Sequence, residues 1–203
     1  MKLDVVHDLQ AVYRKLVDAT SRPGTVMDLQ KEVEGLDVQT NCLATTLLFA
    51  LTVLDPEVTF KVITQHEAAV SGMINQLTYS KSVDVSDADF IFILEDALHE
   101  EMEEALNQAK VGNLSNPHES AMIILEVSDV TKGKPMKLSG PGIQGETNLN
   151  MQNVSNWMAM RNEKNVEFPL GIDMYFVDQQ NQLLAIPRTT QINENGWEIK
   201  WDM

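Results

Sequence analysis

The chain of 203 residues has one cysteine, Cys42, so no internal disulfide can form and the redox argument favours the cytosol. Basic residues are scarce as well: 15 Lys and Arg stand against 30 Asp and Glu, for a formal net charge of −15. A polyanion is held by clustered cations, so nucleic acid and an anionic membrane are both poor partners. A small anion stays admissible, because one local arginine can bind it against an unfavourable overall field. Long apolar runs are missing too. The longest, Cys42 to Leu54, is thirteen residues broken by threonines, whereas a bilayer-spanning helix needs about 20. The opening MKLDVVHDLQ has no apolar h-region, so no signal peptide is visible. These absences point to a cytoplasmic protein that uses neither nucleic acid nor membrane.

The hydrophobic share is 43%, which excludes a disordered chain. A chain this long can bury about 70% of its unfolded surface in one domain. No repeat, low-complexity tract or linker interrupts it, so residues 1–203 read as a single domain.

Leu9, Val12, Tyr13, Leu16 and Ala19 recur at helical spacing over residues 5–20, and Ser21-Arg22-Pro23-Gly24 ends that helix. A short strand is expected in TVMDL (25–29). Thr40 or Asn41 is expected to cap an apolar, buried helix that Asp55-Pro56 stops, with Cys42 a core thiol on it. TFKVI (59–63) alternates as a strand, and 66–78 reads as a helix. DFIFILED (89–96) has the continuous apolar centre of a strand covered on both faces, and the acidic stretch 95–110 follows as a helix. AMIILEV (121–127) is a second buried strand, and TKGKP (131–135) turns the chain into MKLSG (136–140), a further strand. After GPGIQGE the pattern predicts a helix carrying Val154, Trp157, Met158 and Arg161. The hairpin FPLGIDMYFVDQQNQLLAIPRTT (168–190) is expected to close the sheet. Residues 193–203 form an extension in which Trp197, Ile199 and Trp201 alternate with charges, as in a further strand. Strand followed by helix argues for a layered α/β unit.

Most chemical motifs fail on their own terms. Gly140-Pro141-Gly142-Ile143-Gln144-Gly145 matches G-x-G-x-x-G, but Pro141 stiffens it, no helix opens on it and no acid ends a following strand. A turn required by the sheet is the better reading. His99 has Glu95 and Glu103 at i−4 and i+4, yet a helix full of glutamates yields that triple as a solvated face, so no metal is expected. No Gly-x-Ser-x-Gly elbow or Cys/His set is present. A lysine holding pyridoxal phosphate has no strict local motif, but no lysine stands beside a Gly/Ser-rich phosphate cup, so no cofactor is expected either.

Asp173 and Arg188 are left. If the hairpin pairs symmetrically about Gln180, facing residues sum to about 360 and Asp173 lies within a residue of Arg188. An opposite-charge cross-strand pair supports a sheet by about 0.2–1 kcal/mol. That explains the acid and the base, but less well why Thr189 and Thr190 follow. A guanidinium with adjacent hydroxyls at a strand end can also hold a phosphate or carboxylate, which makes Arg188, Thr189 and Asp173 the candidate ligand-binding set. No catalytic residue is assigned.

Several stretches together carry a family resemblance. They are Tyr13-Arg14-Lys15-Leu16, Ala19-Thr20-Ser21-Arg22-Pro23-Gly24, LATTLLFALTVLDPEV (43–58), LSGPGI (138–143), FPLGID (168–173) and LLAIPRTT (183–190). In order and spacing, over roughly residues 8–192, the chain resembles the PhnH subunit of the bacterial carbon–phosphorus lyase system. Tyr13 and Thr20 depart from the family's usual phenylalanine and methionine, and residues 193–203 extend beyond its usual end. The resemblance implies a three-layer α/β sandwich with a mixed sheet, related to pyridoxal-phosphate-dependent transferases but lacking the cofactor. It implies a non-catalytic, homodimeric subunit joined to PhnG, PhnI and PhnJ. That complex supports formation of ribose 1-alkylphosphonate 5-triphosphate from alkylphosphonate and ATP. The alternative is a domain binding a small anion or nucleotide phosphate, or a transferase, through Arg188, Thr189 and Asp173.

Overall fold

The computed structural model describes residues 5–36, 40–151 and 156–194. The helices are α1 (Val5–Ser21), α2 (Gln30–Val33), α3 (Ala44–Val53), α4 (Glu67–Thr78), α5 (His99–Gln108) and α6 (Trp157–Lys164). The strands are β1 (Met27–Asp28), β2 (Thr59–Ile63), β3 (Lys81–Ser82), β4 (Phe90–Ile93), β5 (Met122–Val127), β6 (Lys134–Ser139), β7 (Glu146–Met151), β8 (Asp173–Asp178), β9 (Gln182–Ile186) and β10 (Gln191–Glu194). The protein is α/β with a mixed sheet.

Seven strands form the main sheet in the order β1-β9-β8-β5-β4-β2-β3. The pairs from β8 to β3 are parallel, while β9 returns antiparallel to β8 and β1 pairs antiparallel with β9. The 168–190 hairpin therefore does not finish the sheet: β1 lies outside it. Along each central strand alternate residues feed two separate cores, as a period of two requires. Ile91, Ile93, Ile123, Leu125, Met174 and Phe176 face one cluster with Met102 and Leu106 of α5 and Trp157 of α6. Phe92, Ile124, Tyr175 and Val177 face the other, with Val12 and Leu16 of α1, Leu48 and Phe49 of α3, and Ile74 of α4. Aromatic edges lock both cores, Trp157 on Phe176 at 4.8 Å and Phe49 on Tyr175 at 4.9 Å.

A second sheet of three antiparallel strands, β10-β6-β7, covers the first cluster with Met136, Leu138, Leu149, Met151 and Ile192. Here the sequence expectation needs correcting. After the GPGIQG turn, where the pattern predicts a helix, ETNLNM first forms a strand, because Leu149 and Met151 alternate inward opposite β6. Of the expected helical stripe, Trp157, Met158 and Arg161 lie on α6, and Val154 falls outside the described residues, as do Trp197, Ile199 and Trp201.

Two helix starts also move. α3 begins at Ala44, so Cys42 precedes it, half-buried, with its thiol pushed up to about 11 by burial. Neither Thr40 nor Asn41 caps this helix. The Glu126 carboxylate on β5 does, accepting the Leu43 N–H at 2.8 Å and the Thr46 hydroxyl at 2.6 Å. α5 begins at His99, because Glu95 and Asp96 are held in the preceding loop by Gln179 and Thr64.

Candidate functional site

Arg188 lies two residues past β9, where the chain turns through Pro187–Thr190, and Asp173 opens β8. The hairpin register runs from Met174 opposite Ile186 to Val177 opposite Leu183, which brings these two together. One Asp173 oxygen accepts the Arg188 backbone N–H at 2.7 Å. The other accepts Nε at 3.1 Å and Nη2 at 2.5 Å. Nη2 also donates to the Ser120 hydroxyl at 2.5 Å, and Nη1 to the carbonyls of Pro117 at 3.0 Å and Pro169 at 3.3 Å. A guanidinium has five N–H donors. Each of the five has an acceptor here, on four separate residues. The pair is only 16% and 24% exposed, so little of it faces water.

Thr189 and Thr190 do not join this centre through their side chains. Thr189 is half-buried, and its carbonyl stands against Gly140 of the β6–β7 turn. Thr190 is buried, its hydroxyl has no hydrogen-bond partner, and its N–H closes the turn onto the Pro187 carbonyl at 2.9 Å.

A residue that sequence reasoning placed only on a helical stripe proves central. Arg161, 1% exposed, donates from Nη2 to the carbonyls of Pro187 at 2.6 Å and Thr190 at 2.9 Å. It thereby grips both ends of the turn that carries Arg188. Burial pulls its guanidinium down to about 10, the nearby Asp173 charge opposing that only in part. Its Nε has no partner. The available clue was an arginine in register with Trp157 on an otherwise apolar stripe.

The C-terminal ends of parallel strands are the usual ligand position in open α/β sheets. At that edge a cavity of about 220 Å3 is bordered by Glu95, Glu126 and Ser128. Glu126 is 5% exposed, and burial raises its carboxyl above the ordinary value despite three hydrogen bonds, the third from the Glu95 N–H at 3.1 Å. Asp178, fully buried, accepts from Gln180, Gln182 and Val130 N–H groups and so ties the hairpin loop.

His99 meets Glu103 at 3.4 Å, but Glu95 is off the helix, so the three do not share its face. Among the described residues no group of three or more His, Cys, Asp or Glu side chains is arranged to hold a metal. The G-x-G-x-x-G glycines form the β6–β7 hairpin turn. Lys15, Lys61, Lys110, Lys132 and Lys137 are each in an ion pair with a carboxylate. Among the described residues no helix is long and apolar enough to cross a membrane.

The Asp173–Arg188 pair and the Pro-Arg-Thr-Thr turn thus lie at one end of the β8–β9 hairpin in the mixed sheet. The PhnH model, described as a bacterial phosphonate metabolism protein, matches residues 3–193. The chain belongs to the PhnH family. It is also 30% identical over 188 residues to the protein of Stutzerimonas stutzeri named "Putative C-P lyase subunit protein HtxG", covering 92% of this chain and 87% of that one. Membership links the chain to bacterial phosphonate metabolism.

Proposed function

We propose that the protein is a non-catalytic subunit of a carbon–phosphorus lyase core complex, joined to PhnG, PhnI and PhnJ. In that role it supports formation of ribose 1-alkylphosphonate 5-triphosphate from an alkylphosphonate and ATP. The observation that carries this reading is the family match over almost the whole chain, together with a relative named as a lyase subunit and aligned over most of both lengths. Residues 1–203 are then one cytoplasmic domain that pairs with a second copy. Helices on both faces of the main sheet support the three-layer reading, and the kinship to pyridoxal-phosphate-dependent transferases is proposed from the family resemblance alone.

In this proposal Arg188 and Asp173 brace the sheet. The alternative, an anion held by Arg188, Thr189 and Asp173, would need free donors, whereas all five guanidinium N–H groups already meet protein acceptors. The test is co-expression with PhnG, PhnI and PhnJ from the same organism. The chain should co-purify with them, while alone it should consume neither ATP nor methylphosphonate. Turnover by the isolated chain, or failure to co-purify, would remove the reading.

A further inference from the structure

We propose that residues 197–200 form a fourth strand of the smaller sheet, folded back within the same chain onto the free edge of β10. In the order β10-β6-β7, β10 has β6 on one side and, among the described residues, no strand on the other. Such an edge presents unpaired N–H and C=O groups that a further strand can take. Directly after Glu194, where β10 ends, the sequence reads Asn195-Gly196 and then WEIKW (197–201). Asn-Gly is a preferred pair for a two-residue type I′ turn, in which both central residues need positive φ.

That turn fixes the register. Glu194 falls opposite Trp197, Asn193 opposite Glu198, Ile192 opposite Ile199 and Gln191 opposite Lys200, so all four residues of β10 are matched. The two strands alternate in step. On β10, Ile192 is buried in the core cluster, while Gln191 and Asn193 are exposed. Ile199 takes the buried face with Trp197 and Trp201, two residues to either side, and Glu198 and Lys200 take the exposed face. Trp197 also continues a row that starts with buried Leu149 and Met136 and passes through position 194. A slip of one residue would turn both tryptophans to water and the charges inward.

The turn residues also select this chain's own segment over that of a second copy. A strand running straight on into another molecule would keep 195–196 extended, whereas Asn and Gly are poor strand residues and favour positive φ. With the edge filled in this way, β10 no longer offers a template for pairing with another copy.

The test uses the full chain carrying Cys42→Ser, so that only introduced thiols react. Asn193→Cys with Glu198→Cys sets the cysteines at a non-hydrogen-bonded pair, where Cα atoms about 4.5 Å apart suit a disulfide. Asn193→Cys with Ile199→Cys sets them on opposite faces. In a glutathione buffer the first pair should close within the chain at least about tenfold faster than the second. Gly196→Val, added to the first pair, should slow that closure, because a β-branched residue resists positive φ. A chain stopped after Glu194 should melt several degrees below the full chain. Equal closure of the two pairs would mean a segment without register, and disulfide-linked dimers would put the strand on a second copy. An unchanged melting temperature for the shortened chain would mean that nothing packs on the edge. Each of these three results overturns the inference.

Discussion

Asp173 closes a ring with Arg188 that runs through both backbone and side chain, the carboxylate taking the Arg188 N–H at 2.7 Å and two guanidinium N–H groups. The rest of the fork reaches Pro117, Pro169 and Ser120, so one residue fastens the loops before β5 and β8 to the end of β9. Exposed ion pairs are worth about 0–1 kcal/mol, and breaking a buried one costs about 3–5. This pair is mostly shielded, so Arg188→Ala should cost about 2–4 kcal/mol. For a chain of this length that lowers the melting temperature by roughly 5–15 °C. Arg188→Lys should recover less than half, because an ammonium cannot reproduce the planar fork. Thermal melts of the two variants with Asp173→Asn, run as a double-mutant cycle, check this. A loss under 1 kcal/mol for Arg188→Ala would free the residue for a ligand role.

Arg161 makes the opposite case, a buried cation with no carboxylate in an ion pair among the described residues. Lowering its pKa to about 10 corresponds to a penalty of ~3 kcal/mol for keeping the charge. Its two bonds to the Pro187 and Thr190 carbonyls return a similar amount, each charge-assisted bond being worth about 1.5–3 kcal/mol. The terms nearly cancel. Arg161→Met, which fills the space without the charge but takes a donor from the Thr190 carbonyl, should cost about 1–3 kcal/mol, whereas Arg161→Ala should lose about a further 2–4 through the cavity. Urea unfolding of both distinguishes packing from charge.

The glycines of the G-x-G-x-x-G stretch serve chain packing, and they serve it unequally. Gly142 has φ +82°, and a Cβ there would lie 2.2 Å from the Ser21 carbonyl oxygen at the end of α1. Gly145 has φ +76° but open space around it. Gly145→Ala should therefore cost only the left-handed backbone penalty, about 1–2 kcal/mol. Gly142→Ala must also push α1 from the turn and should cost more than 3 kcal/mol, or leave no folded protein. Comparing soluble yields and melts of the two tests this.

Local pattern made much of the architecture legible. β2 has its expected bounds, and the Met174–Ile186 and Val177–Leu183 pairs have the register expected from symmetry about Gln180. The meeting of Asp173 and Arg188 followed from that register. What stayed hidden was non-local. ETNLNM is polar at most positions, and only its partner β6 makes it a strand. Which strands share a sheet cannot be read from alternation, so the separate β10-β6-β7 sheet was not expected. The cap of α3 comes from Glu126, far along the chain, and the saturation of Arg188 depends on carbonyls whose positions no side-chain pattern encodes.

Glu126 offers the sharpest pH test. Burial raises its carboxyl above the unfolded value of 4.5, hydrogen bonds from Thr46, Leu43 and Glu95 only partly offsetting this, and the Glu95 charge raises it further. In the interval between 4.5 and that raised value the folded state holds more protons than the unfolded one, so stability falls as pH rises through it. Glu126→Gln keeps an oxygen for the Leu43 N–H and the Thr46 hydroxyl, but turns an amide donor toward the Glu95 N–H. The variant should gain on wild type as pH rises from 4.5 through the raised value of the wild-type carboxyl, and the difference should then level off. Glu126→Ala should be worse than both at every pH, because it strips the cap from α3, worth about 0.5–2 kcal/mol, and leaves a hole besides. Melting curves of the three proteins at half-unit steps from pH 4.5 to 7 decide it. A Gln-minus-wild-type difference that is flat across the series would mean that the Glu126 charge carries no folding penalty and that the carboxylate is held by its three donors alone.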